Sequence, residues 1–189
     1  VDYDVHHGNG TQWMFYDDPT VLYVSLHQYP FYPGTGAVTD VGHAEGRGFT
    51  LNVTLEAGAG DADYDRAMRE VVDPVVTAFD PKLILLSAGY DAHVRDPLGG
   101  MQLSTEGYAV MTAHVQRLAA RCCGDRIAAV TEGGYDLTAL EACLEATLRQ
   151  LASRPGAMGP PLRGDTRRVD QVIPVVKQVF APYWPGVLN

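Results

Sequence analysis

Short apolar runs of β-forming residues alternate with helical stripes along most of this chain, and that alternation admits few folds. Thr20 to His27 (TVLYVSLH) and Lys82 to Ser87 (KLILLS) read as strands of the kind that parallel sheets bury. Phe49, Leu51, Val53 and Leu55 alternate with polar residues at the period of a strand, and Ile127 to Thr131 (IAAVT) is a further short run. Between these lie helical patterns. Met68, Val71, Val72, Val75, Val76 and Phe79 recur at helical spacing, with Pro74 predicted to kink that helix. Tyr108, Met111, Val115 and Leu118 form a second stripe. Leu140, Leu144, Leu148 and Leu151 form a third, opened by Asp136 as an N-cap. Strand, helix, strand in repetition predicts an α/β domain whose mainly parallel sheet is flanked by helices.

The chain has 189 residues, the size of one domain. Residues 1–153 hold the repeated strand and helix patterns and are expected to form the main body of the domain. Residues 154–189 are expected to form a linker (RPGAMGPPLRGD) and a helix from Val169 to Phe180, interrupted by Pro174, that packs on the same domain. The balance of 14 basic against 23 acidic residues, net −9, works against nucleic acid or an anionic membrane as partner, because no basic field is present to displace phosphate counterions. No run approaches the ~18 apolar residues of a membrane span. Cys122, Cys123 and Cys143 make neither a disulfide framework nor a zinc knuckle, so the expected location is the reducing cytoplasm. The sequence opens on Val1, inside what reads as a strand, and the fold is therefore expected to be incomplete on its N-terminal side.

The opening VDYDVHHGNG holds Asp2, Asp4 and His6 at period two, which on a strand points all three to one face. Residues two apart lie about 6.6 Å apart along a strand, so Asp4 and His6 can converge on one ion. Asp2, roughly 13 Å from His6 by the same arithmetic, suits an outer position or a second ion. The alternative for these groups is a buried Asp and His satisfied by backbone. His7 points the other way and reads as a hydrogen-bonded structural histidine. Asp91 lies just past the Lys82–Ser87 run, at the strand end where open α/β sheets collect ligands, and is a third ligand candidate. The Ile127–Thr131 run leads into EGGY, where two glycines before Tyr135 allow a close backbone approach. Taken singly, Asp91 is equally a loop cap and Tyr135 a half-buried aromatic. The Gly- and Pro-rich stretch from Gln28 to Gly48 is long enough to be functional.

VDYDVHHGNGTQ, SLHQYPFYPGTG, GFTLNV, LSAGYDAHVRDPLG and EGGYDL together resemble, in order and spacing, the zinc-dependent histone deacetylase family, nearest its class II and bacterial acetylpolyamine-amidohydrolase-like branch. Asn9, where class I members carry aspartate, fits that branch. The resemblance implies that residues 1–153 are the C-terminal portion of a deacetylase catalytic domain, with the arginase/deacetylase fold and one catalytic Zn²⁺ held by Asp4, His6 and Asp91. It also implies a role for Tyr135 in polarising the amide carbonyl. It further implies a potassium site at Asp2, Asp4, Ser25 and the main-chain oxygens of His6 and Leu26, and a second at the main-chain oxygens of Phe15, Asp18, Val21 and Phe49. Tyr32 and Leu98 would line the substrate channel. A neutral Leu98, where polyamine-selective members tend to carry an acid, favours acyl-lysine.

The expected activity is hydrolysis of the acetyl amide of acetyl-lysine or a related small acetylated amine. The family's general base comes from a His-His pair upstream of the D-x-D-x-H segment. His27, His43 and His93, expected in loops, and His114, expected in a helix, do not match that pair, so the 189 residues alone are expected to be inactive. An arginase-like ureohydrolase with two manganese ions and a non-catalytic metal-binding or interaction module are the alternatives. Oligomeric state is not legible in the sequence.

Overall fold

In the computed structural model, which describes residues 1–188, Tyr23–Gln28 (β1) pairs in parallel with Thr50–Leu55 (β2), and Ile84–Ala88 (β3) with Ile127–Thr131 (β4). The start of the chain joins the two pairs. Asp2 bridges in parallel to Ser25 of β1 and to Ser87 of β3. Its N–H donates to Val24 O at 2.8 Å and its C=O accepts from Leu26 N at 3.0 Å, while Tyr3 N donates to Ser87 O at 3.2 Å on the other side. The sheet thus runs β2, β1, residues 1–5, β3, β4, all parallel. The middle segment is not the regular strand its pattern suggests. The N–H groups of Asp4 and His6 donate to the carboxylates of Asp2 and Asp4 at 3.1 and 2.8 Å, so local side-chain bonds replace part of the ladder.

Asn9–Met14 (α1) follows the opening segment. Asp61–Ala67 (α2), a π turn at Met68–Val72 and Asp73–Phe79 (α3) form one continuous helical stretch. Pro74 sits in the first turn of α3, where its missing N–H and its ring are absorbed by the wider π turn, so the apolar stripe continues without a break. Thr105–Cys123 (α4) starts at Ser104, whose hydroxyl accepts from Gly107 N, and buries Tyr108, Met111, Val115 and Leu118 as their spacing predicts.

Leu137–Ala152 (α5) is capped by Asp136, whose carboxylate accepts from Ala139 N at 2.8 Å. Its buried edge differs from the leucine stripe. Ala139, Cys143 and Thr147 are buried, while Leu148 is 57% exposed. Small residues let α5 approach α4 closely, and the leucines flank that seam. Arg167–Phe180 (α6) runs through Pro174 and buries Val169, Val172, Ile173, Val176 and Phe180. The tail beyond it is tied back where Trp184 Nε1 donates to Gly48 O at 2.8 Å.

Both faces of β1 and β2 are buried. The expectation that Lys82–Ser87 is buried in the same way fails for one face: Ile84, Leu86 and Ala88 face the core, whereas Leu85 is 59% exposed. Outer strand β4 is exposed from Ala128 to Thr131. α4 packs against β3, whereas β4 is open on both faces over these four residues.

Candidate metal centre

The site forms where the middle segment, β3 and β4 end. Asp4, His6 and Asp91 each present a ligand atom, and these atoms lie within 4.8 Å of one another. His6 Nδ1 is 3.1 Å from Asp4 Oδ1 and 3.0 Å from Asp91 Oδ2. Asp91 is wholly buried, and its other oxygen accepts from Val5 N at 2.8 Å. Asp4 Oδ2 accepts from Gly133 N at 2.8 Å, which draws the EGGY turn onto the centre. A Cβ at Gly133 would collide with the carboxylates of Asp91 and Asp4, so this glycine is required by the close approach that the sequence suggests.

The electrostatics follow from two carboxylates converging on one imidazole. Hydrogen bonds from Asp4 and Asp91 outweigh burial at His6 and push its pKa up to about 10. Burial raises Asp91, with His6 partly offsetting it. At Asp4 burial acts in the same direction but is outweighed by hydrogen bonds from His6 and Gly133, so its pKa falls. A proton on His6 thus satisfies the two carboxylates, and a divalent cation would displace it. Two carboxylate oxygens and one imidazole nitrogen, open on the cavity side, are a donor set that fits zinc.

A cavity of about 790 Å³ opens over Asp4 and His6, with Phe31, Tyr32, Leu98, Glu132 and Tyr135 also in its lining and the wholly buried Asp91 outside it. Phe31 stacks on the His6 ring (centroids 5.3 Å apart, planes at 18°), and Tyr32 meets it edge-on at 5.9 Å. Tyr135 is 52% exposed. Its backbone N–H donates to Asp96 Oδ2 at 2.7 Å.

The remaining residues singled out in the sequence fall as follows. Asp2 lines the inner end of the cavity, and its carboxylate accepts from Tyr23 OH at 3.2 Å. Burial, above all, pushes its pKa up to about 7. Ser25 lies opposite Asp2 but bonds to His27 Nδ1 at 2.9 Å, and Leu26 N donates to Asp2 O. The carbonyls of Phe15 and Asp18 accept from Asp18 N and Val21 N in successive turns, and Phe49 O accepts from Tyr23 N.

His7 is the structural histidine expected, held by Thr35 Oγ1 and Gln12 Oε1, both at 2.8 Å. His27 is not in a loop. It lies within β1, fully buried, with Nε2 at 2.9 Å from Gly36 O. The sequence reading missed Phe31, Glu132 and Asp96. Phe31 adjoins Tyr32, and Asp96 stands in the same DPLGG run as Leu98. No periodicity marks either, because both lie in loops.

Comparison with known proteins places this geometry. The histone deacetylase domain matches residues 1–151, and the chain belongs to that family. It is 44% identical over 155 residues to the chloroplastic histone deacetylase 10 of Oryza sativa subsp. japonica, covering 82% of this chain and 35% of that protein. It is 43% identical over 164 residues to a histone deacetylase-like amidohydrolase of Pseudomonas aeruginosa, covering 86% and 43%. The crystal structure of the HDA15 HD domain superposes with a TM-score of 0.88 at 38% identity, over 99% of this chain and 51% of that one. The arginase/deacetylase fold expected from the motifs is the one observed. The chain spans less than half the length of these curated relatives.

Proposed function

We propose that these residues form the metal-binding part of a zinc-dependent amidohydrolase that removes acetyl groups from acetyl-lysine or a related acetylated amine. One observation carries the reading: Asp4, His6 and Asp91 converge at the base of a cavity whose lining includes Tyr135. Zinc held by that trio supplies a Lewis-acid centre for an amide carbonyl. The Tyr135 hydroxyl donates a hydrogen bond to the carbonyl oxygen as negative charge grows on it. Phe31, Tyr32 and Leu98 form an apolar stretch of the cavity wall that suits the aliphatic stem of acyl-lysine, with Glu132 adding one carboxylate to the lining. The cluster offers three ligand residues, two of them carboxylates, which suits a single ion and falls short of the carboxylate-rich set that a two-manganese ureohydrolase needs. The two potassium sites rest on the family resemblance alone.

The proton acceptor comes from outside the described residues. His7 is committed to Thr35 and Gln12, His27 to Ser25 and Gly36, and His43 to Asp17. Buried His114 lies between Asp65 and Asp73, and His93 accepts from Arg95 N.

The test has three parts. Asp91→Ala should weaken zinc binding by more than about 100-fold in a calorimetric titration. Tyr135→Phe should leave zinc binding intact and lower kcat on an acetyl-lysine amide by roughly 10²–10³-fold, the loss of one oxyanion donor. The 189-residue chain should turn over at least about 10²-fold more slowly than a longer form carrying the additional sequence its relatives have. Equal turnover by the two forms would overturn the assignment of the base. Unaltered zinc affinity in Asp91→Ala would overturn the metal centre.

A further inference from the structure

Asp96 holds the two loops that meet at the cavity. One carboxylate oxygen accepts from Tyr135 N at 2.7 Å, and the other accepts from Leu98 N at 2.9 Å and Gly99 N at 3.3 Å. The side chain is almost wholly buried, so these three N–H groups satisfy a charge that water cannot reach. Removing it would leave three donors without a partner.

The turn it holds needs such an anchor. Gly133 and Gly134 precede Tyr135, and Gly134 adopts φ +140°, open to glycine and strained for other residues. The Tyr135 ring is half exposed and gains little from packing. Two carboxylates therefore pin this turn by its backbone: Asp4 at Gly133 N and Asp96 at Tyr135 N. Immediately afterwards Asp136 caps α5 and faces Arg95 at 3.4 Å, a second tie between the same two loops.

We propose that Asp96 is a positioning residue that sets the Tyr135 phenol against the metal centre and registers it with Leu98 on the cavity wall. This rests on the amidohydrolase reading above. Asp96 hydrogen-bonds to Leu98, Gly99 and Tyr135 rather than to the trio and lies outside the cavity lining, so it acts through Tyr135. Asp96→Asn keeps the size of the side chain but turns an N–H₂ toward one of the two loops, so one anchor is lost.

The experiment is a double-mutant cycle in the active, full-length protein. Asp96→Asn should lower kcat by about 10–100-fold, the usual cost of an outer-sphere partner, with KM and zinc content unchanged. In the Tyr135→Phe background the same substitution should cost no more than about threefold, because the group it positions is gone. Multiplying losses, a fall in zinc content that accounts for the slower turnover, or wild-type kcat in Asp96→Asn would each overturn the proposal. Tyr135→Phe at full activity would instead overturn the amidohydrolase reading, and this proposal with it. Should Asp96→Asn not fold, hydrogen exchange in the unaltered protein decides: a protected Tyr135 amide supports the anchor, and one exchanging like a free loop amide overturns it.

Discussion

On one side of the first five residues the β1–β2 pair is buried along its length, with only Thr54 partly open. On the other side β3–β4 leaves Leu83, Leu85 and Val130 more than half exposed. Both flanks are equally apolar runs in the sequence, so hydrophobicity does not separate them. Coverage does. α6 packs on β2 in the first flank and α4 on β3 in the second, whereas β4 stays open on both faces from Ala128 to Thr131. The chemistry is divided unequally too. Asp91 follows β3, in the less enclosed flank, and meets Asp4 and His6 of the middle segment, while Tyr135 follows β4 and lines the same cavity.

The contrast can be broken most directly by truncating one leucine from each flank. Leu26→Ala, in the enclosed pair, should cost about 2–5 kcal/mol in urea denaturation. Leu85→Ala, on the bare face, should stay within about 0.5 kcal/mol. Similar losses at both positions would mean that the face is covered in solution.

A second effect, spread over several pH units, distinguishes the flanks by pH. Burial, with a contribution from His7, lowers the His27 pKa to about 3. The folded form therefore keeps this histidine neutral, while the unfolded chain binds a proton below its ordinary value of 6.5. Its contribution to stability is complete above pH 6.5 and is lost as pH falls toward 3, by up to about 1.4 kcal/mol per pH unit. His27→Gln should flatten that part of the stability–pH curve. An unchanged slope would show that the β1 interior admits water. Smallest of the three, Asp136→Ala should cost about 1 kcal/mol through loss of the α5 cap, read from the melting temperature. A negligible change would mean that α5 is held by its seam with α4 alone.

Much of this was legible in the residues, because period and spacing report what one element does locally. The four strands, the α4 stripe, the Asp136 cap and the shared face of Asp4 and His6 follow from such patterns, whereas the joining of Asp91 to them was implied by the family resemblance. What was not legible depends on neighbours. The α5 leucines suggest a buried edge, yet the seam runs along Ala139, Cys143 and Thr147, since small residues permit the closest approach. Leu85 has the sequence context of a core residue and lacks only a layer above it. Asp96 has no periodic signature. Its importance rests on two loops that meet only after the sheet has formed.

Residues 1–5 lie in mid-sheet, so the two strand pairs are joined only through them. β1 can meet β2, and β3 can meet β4, without them. The middle rung, however, joins partners as far apart as Val5 and Asp91, separated by 86 positions. Each doubling of such a loop adds only about 0.6 kcal/mol, so the burden falls on time more than on free energy. The ligand set straddles that closure and exists in neither half beforehand. An ion bound there is a clasp across the seam, favouring the closed sheet by mass action. A chelator should accordingly loosen the junction between the halves before it disturbs the interior of either.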